Sequence, residues 1–142
     1  MRDIVLAFFG SLAPSILFNI NRKKLFWVGL SGAIGWAAYD RINNFTGQVI
    51  LSTFIGALVV GIYSEVAARI LKSPSTVFSV SGIFPLVPGI GAYNTAKFIG
   101  ENNLNKAASS AIEVISSAGA IALGVMFISV AFRKKRSKNK SK

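Results

Sequence analysis

The chain has 142 residues, of which 52% are hydrophobic, and its formal net charge is +11. It contains no Cys and no His, which excludes disulfides, thiolate chemistry, most zinc sites and histidine acid–base catalysis. We therefore expect no metal, no cofactor and no enzyme activity. Mean hydropathy is +0.55, and the apolar residues come in long blocks with few charges, a pattern typical of a membrane protein.

Five segments are apolar enough to approach the roughly 20 residues that a membrane-spanning helix needs. They predict an all-α, polytopic bundle of about five transmembrane helices, at 4–20, 25–39, 48–71, 76–93 and 112–132. The polar stretch 94–110 is expected to be partly helical. Residues 1–132 then form the transmembrane domain, and 133–142 form a basic, disordered cytoplasmic tail.

The first apolar segment has the length of a signal peptide, but its strong positive charge follows it instead of preceding it. Residues 22–24 read Arg-Lys-Lys, which favours a retained span over a cleaved signal. Further basic residues are Arg69 and Lys72, and seven of the sixteen basic residues lie in 133–142. By the positive-inside rule these connections are cytoplasmic. The predicted arrangement is a multi-pass protein of the cell membrane with its N-terminus outside and its C-terminus inside.

The basic tail has two readings. One is nucleic-acid binding, and the other is an anchor against the anionic lipid of the bilayer. The tail directly follows an apolar segment and lacks the interleaved aromatic residues of a base-stacking surface. We therefore predict the lipid anchor and no nucleic-acid partner.

Small residues recur along the second and fifth segments in a way that favours close helix packing. The second has Gly29, Gly32 and Gly35, and the fifth has Ala120 and Gly124 at four-residue spacing. Small side chains let two backbones approach, which is how helices associate in lipid. The rings of Trp36, Tyr39 and Tyr93 fall near predicted span ends, where amphipathic aromatic residues settle.

The segment 79–96, which reads SVSGIFPLVPGIGAYNTA, interrupts the fourth predicted span. Pro85 and Pro88 each lack an amide donor and clash with the preceding turn, and Gly89 and Gly91 follow directly. A broken helix in hydrocarbon survives only when it is buried in protein or lines a wet cavity. Transporters use such breaks to bind solutes. The alternative is a kink with only a packing role.

The substrate pathway is therefore predicted at Pro85, Pro88, Gly89 and Gly91. Four polar residues flank the break, Ser79, Ser81, Asn94 and Thr95; they either contact a small polar solute or make only ordinary helix-end hydrogen bonds. Asn94 is included in the predicted pathway, and so is Tyr93, which belongs to the motif described below.

Ionisable residues inside or beside the predicted spans are candidates for coupling or gating. Glu65 and Arg69 are four residues apart in the third segment and share one helical face. They form either an interfacial ion pair or a gate with a proton-coupling carboxylate. Asp40 follows the second segment and is expected at the membrane interface.

The segment 84–89, Phe-Pro-Leu-Val-Pro-Gly, with Tyr93 four residues later, resembles the threonine/serine exporter family. More closely, the chain resembles the small, separately encoded half of that transporter, the YjjB type. The resemblance extends over nearly the whole chain, through its length, the placement of the motif before the last helix and the basic ending. Within the motif, Pro85, Pro88, Gly89 and Tyr93 match the family pattern.

This resemblance implies a membrane subunit of a secondary transporter that exports small polar metabolites, either threonine and serine or a dicarboxylate such as succinate. It also implies a partner, a larger subunit with a cytoplasmic domain and about five spans. A homo-oligomer is a further option. The competing hypothesis is a structural or accessory membrane subunit without a solute site of its own.

Overall fold

The computed structural model describes the backbone of residues 2–139 and the side chains of residues 2–132. Over this range the secondary structure is entirely helical, which confirms the predicted all-α class. The elements in chain order are α1 (Arg2–Leu17), α2 (Arg22–Thr46), α3 (Val49–Ile70), α4 (Thr76–Ile83), a 3₁₀ turn (Phe84–Leu86), α5 (Gly89–Gly100) and α6 (Leu104–Asn139).

Helix α2 is capped at both ends, which separates it from α1 and from α3. The side chain of Asn21 caps α2 by accepting a hydrogen bond from the amide of Lys23 at 3.2 Å. At the other end, Gly47 takes a left-handed conformation with φ of 66° and donates its amide to the carbonyl of Asn43. That conformation carries no steric cost for glycine and is a common way for a helix to end.

The helices pack through their small residues. Helix α2 packs against α1, α3 and α4, and α3 packs against α6, which in turn packs against α5. At the α3–α6 contact, a Cβ on Gly124 would lie 2.9 Å from the Cβ of Ala57 and 3.1 Å from the carbonyl oxygen of Phe54. Glycine is therefore required there for the two backbones to approach.

Buried hydroxyl groups accompany this close packing. Ser11, Ser15, Ser52 and Ser64 are fully or almost fully buried, and each donates to the carbonyl four residues earlier in its own helix. A serine satisfied in this way adds little bulk and leaves no unpaired donor. It therefore suits a tightly packed interior.

Two described helices are long and apolar enough to cross a membrane, Val49–Ile70 and Leu104–Phe132, and the bent pair of α4 and α5 adds a third if it counts as one span. Helix α1 has only 16 residues. Helix α2 begins with three basic residues and contains Asp40 and Arg41, so its apolar centre is short. The predicted count of five crossings stays a prediction.

Two polar regions are more helical than the sequence predicts. Of the stretch 94–110, only 101–103 interrupts the helices. The predicted disorder of 133–142 is replaced by helix over 133–139, because α6 continues to Asn139. Lys and Arg are good helix formers and their charges are favourable at a helix C-terminus. The rest of the predicted tail, 140–142, lies outside the described residues.

Three basic segments lie at one end of the bundle. Lys24 donates a hydrogen bond from its ammonium group to the Ser73 hydroxyl, which joins the first turn of α2 to the α3–α4 connection. The Arg69 guanidinium lies 5.0 Å from the centre of the Phe132 ring, which places the adjoining part of α6 at the same end. We refer to this as the basic end.

We predict that Gly124→Leu lowers the free energy of unfolding by about 1–3 kcal/mol, the usual cost of overpacking a tight contact. The matched control is Gly119→Leu in the same helix, because a Cβ at Gly119 would meet nothing within 4 Å. Unfolding in mixed micelles, followed by circular dichroism, measures both. Equal stability of the two variants would contradict the packing described for α3 and α6.

Candidate substrate cleft

The chain changes direction between α4 and α5, where the two helices meet at an angle of 48°. Helix α4 ends at Ile83, and the 3₁₀ turn contains Pro85. Val87 is extended with ψ of 129°, and Pro88 is the N-cap of α5. Proline fixes its own φ and disfavours helix in the residue before it, so Val87 and Pro88 cannot continue α4.

Leu86 anchors this bend in the bundle. Its side chain is only 6% exposed. Its two methyl carbons lie 3.2 and 3.3 Å from the position that a Cβ on Gly56 of α3 would occupy, and one is 3.8 Å from that position on Gly35 of α2. Two glycines thus form the recess that receives Leu86. This contact holds the turn against α2 and α3 while the following residues stay at the surface.

A cleft of about 360 Å³ lies beside the bend. Four elements contribute to it: α2, the start of α3, the bend with the start of α5, and α6. Its lining residues are Trp36, Tyr39, Val49, Thr53, Pro85, Leu86, Val87, Pro88, Gly89, Ile90, Gly91 and Ser117. The lining is mostly apolar with a few polar groups, which is usual for a small-molecule site.

The cleft lies in the half of the bundle remote from the basic end. Ser117 is fifteen residues before Phe132 on α6, a distance of about 22 Å at 1.5 Å per residue. On the other wall, Val49 is the first residue of α3, whose last turn contains Arg69. The cleft is therefore separated from the basic end by most of the length of α3.

The start of α5 presents amide groups without acceptors. Pro88 offers no side-chain cap, and the amides of Ile90 and Gly91 donate to no acceptor within residues 2–132. The first amides of any helix lack intrahelical acceptors and carry a partial positive charge. The residue that would normally satisfy them, a Ser, Thr, Asp or Asn at the N-cap, is absent here.

Two residues of the cleft lining each carry a buried polar side-chain atom that has no partner. Within residues 2–132, three buried side-chain atoms make no hydrogen bond: Trp36 Nε1, Ser81 Oγ and Ser117 Oγ. Trp36 and Ser117 line the cleft. A buried donor without a partner lowers the free energy of unfolding by about 1–3 kcal/mol. Two such donors belong to residues of this one cleft.

The predicted pathway residues divide into two groups. Pro85, Pro88, Gly89 and Gly91 all line the cleft. Tyr93 and Asn94 are not part of its lining, since they lie beyond the first turn of α5, and Tyr93 is 69% exposed. A role for any of these residues in solute binding stays a prediction.

Of the three predicted coupling residues, Glu65 and Arg69 lie away from the cleft. Glu65 and Arg69 are near the basic end of α3, and no ion pair joins them; the Arg69 guanidinium lies over the Phe132 ring instead. Asp40 follows Tyr39, which does line the cleft.

Sequence reasoning missed Ser117 and Thr53 and gave Trp36 and Tyr39 only an interfacial role. Thr53 is satisfied locally, because its hydroxyl donates to the Val49 carbonyl at 2.8 Å. Trp36 and Tyr39 stack at 5.1 Å between ring centres. Only the helix arrangement brings these residues to the bend, and no local pattern indicates it.

A family model described as Threonine/Serine exporter, ThrE, matches residues 3–131. The chain belongs to the threonine/serine exporter family. Membership in this family, together with the apolar helices, identifies a membrane transport protein of amino-acid export. Because the family is a transporter family, it implies no enzyme activity. No solved structure matches this threonine/serine exporter chain.

We predict that Phe132→Leu lowers the free energy of unfolding by about 0.5–1 kcal/mol, the usual value of an exposed cation–π contact. The physical reason is the loss of the ring beneath Arg69. Phe127→Leu in the same helix is the control, since Phe127 is 68% exposed and makes no such contact with Arg69. Denaturation in mixed micelles measures the free energy of unfolding of both variants. A larger decrease in Phe127→Leu than in Phe132→Leu would contradict the assigned contact.

Proposed function

We propose that this chain is one membrane subunit of a secondary transporter that exports small polar metabolites. The solutes are threonine and serine, or a dicarboxylate such as succinate. The other half of the transporter is a larger subunit with a cytoplasmic domain and about five spans, since transporters of this type are built from two related halves. The observation that carries the proposal is the cleft at the bend between α4 and α5.

The cleft supports transport because several polar groups of its lining are donors without partners. A turn with only a packing role gains nothing from unsatisfied amides, and burying them in hydrocarbon is costly. A solute site uses them, because a bound polar group replaces the water lost on entry. The volume of the cleft, about 360 Å³, is in the range of sites that bind small molecules.

The mechanism is alternating access. The cleft faces a cavity shared with the larger subunit, and the solute binds there between the two halves. Rocking of one half against the other exposes the cavity first to the cytoplasm and then to the outside. Leu86 holds the bend to α2 and α3, so these elements move together.

The location of the basic residues supports the orientation in this proposal. The α1–α2 connection, the α3–α4 connection and the adjoining part of α6 lie at one end, as cytoplasmic segments should. The N-terminus is then outside after five crossings, and the cleft lies in the outer half. Glu65 and Arg69, at the basic end, are placed for gating the cytoplasmic side, and Asp40 lies near the cleft.

The proposal predicts that Gly89→Leu blocks export while the two subunits still assemble. A Cβ at Gly89 would meet nothing within 4 Å, so the larger side chain fits the fold, and it is added at a residue that lines the cleft. We expect export to fall by about tenfold or more, because a filled site loses solute affinity. Efflux of labelled serine, threonine and succinate from cells that contain both subunits measures this.

Gly100→Leu is the matched control for this experiment. It lies in the same short helix, also has open space around its Cβ position, and is not part of the cleft lining. Co-purification of the two subunits reports assembly for each variant. Undiminished export by Gly89→Leu would refute a solute site at the bend and favour the structural, accessory role.

A further inference from the structure

The start of α5 is richer in free donors than in free acceptors. The Gly91 carbonyl accepts hydrogen bonds from Thr95 at 2.9 Å and from Ser110 at 3.1 Å. The Val87 carbonyl accepts from the Gly89 amide at 2.7 Å. These acceptors are therefore occupied, whereas the amides of Ile90 and Gly91 have no partner among the described residues. A ligand group that binds here has to accept hydrogen bonds.

Ser117 is an independent indication of a ligand at the same place. Its side chain is 1% exposed, it lines the cleft, and its hydroxyl makes no hydrogen bond within residues 2–132. A Cβ on Gly91 would lie 2.7 Å from a methyl carbon of Val114, which is three residues before Ser117 and on the same side of α6. The Ser117 hydroxyl can turn between staggered rotamers to meet a ligand.

Trp36 adds a donor on another wall of the cleft. Its indole nitrogen, Nε1, is buried and makes no hydrogen bond to any described residue. Indole N–H groups are donors only, and a buried tryptophan usually has a partner. Together with the first turn of α5 and with Ser117, residues of the cleft lining carry donors without partners on three different helices.

We propose that the first turn of α5, Ser117 and Trp36 form a carboxylate subsite in the cleft. A carboxylate accepts several hydrogen bonds through its two oxygens, and the partial positive charge of a helix N-terminus favours an anion. The proposal rests on the proposed transport function and deepens it by naming the group of the solute that this subunit binds. A neutral amide in place of the carboxylate satisfies these donors less well.

Intrinsic fluorescence tests the proposal in the full chain reconstituted in nanodiscs. The chain has two tryptophans, so Trp27→Phe leaves Trp36 as the only reporter. This change spares the hydrogen bond that the Trp27 carbonyl accepts from Tyr63 at 3.0 Å, since that bond uses the backbone. We expect a saturable change with L-serine and with succinate, and at least about tenfold weaker binding of serinamide, which lacks the charge that strengthens each hydrogen bond.

Ser117→Ala in the same background should weaken L-serine binding by about tenfold, the usual effect of deleting a hydrogen bond to a charged group. Its thermal stability should not fall, because the hydroxyl has no protein partner to lose. Ser116→Ala is the matched control on the same helix, since Ser116 is not part of the cleft lining, and it should bind as the background does.

Three results would overturn the carboxylate subsite. These are equal binding of serinamide and L-serine, equal loss of affinity in Ser117→Ala and Ser116→Ala, and no response of Trp36 to any of the three compounds. None of these results bears on the transport function, which is tested separately by measuring efflux from cells that carry the Gly89→Leu variant. A failed subsite and a failed transporter are thereby distinguishable.

Discussion

The candidate site depends on one backbone constraint, the loss of amide donors and helical geometry at Pro85 and Pro88. A helix that enters this segment cannot leave it in the same direction, so α5 starts anew at Gly89. A new start creates a fresh set of amides without intrahelical acceptors. Because a proline occupies the N-cap, no side chain covers them. The same two residues therefore end one helix and leave the next one open to a ligand.

Small residues decide where this exposed helix start lies. Gly35 and Gly56 receive Leu86 and fix the turn against α2 and α3. On the far side, Gly91 lets α5 approach α6, which brings Ser117 to the cleft. Close packing in a membrane interior comes from such small residues. The polar site is thus positioned by apolar contacts, and its donors contribute little to holding the bundle together.

Sequence could predict those features that arise from local chemistry. Apolar periodicity predicts the helices, and the prolines act on their immediate neighbours. The sequence alone could not predict Ser117 and Trp36 as site residues, because contacts between helices far apart in the chain bring them to the bend. The pairing of Arg69 with Phe132 instead of Glu65 is likewise tertiary. Residues 133–139 stay helical although their composition favours disorder, since α6 is already formed before them.

The most direct measurement of the central claim is the reaction of a single cysteine at the bend with a water-soluble thiol reagent. The chain has no cysteine of its own, so Gly89→Cys carries one thiol, and Leu123→Cys, at an apolar position of α6 that is 62% exposed and outside the cleft lining, is its counterpart. Only a hydrated thiol ionises and reacts. In membranes that contain the proposed larger subunit, we expect rapid labelling at 89 and little at 123. Equally slow labelling of both would place the bend against lipid and contradict it.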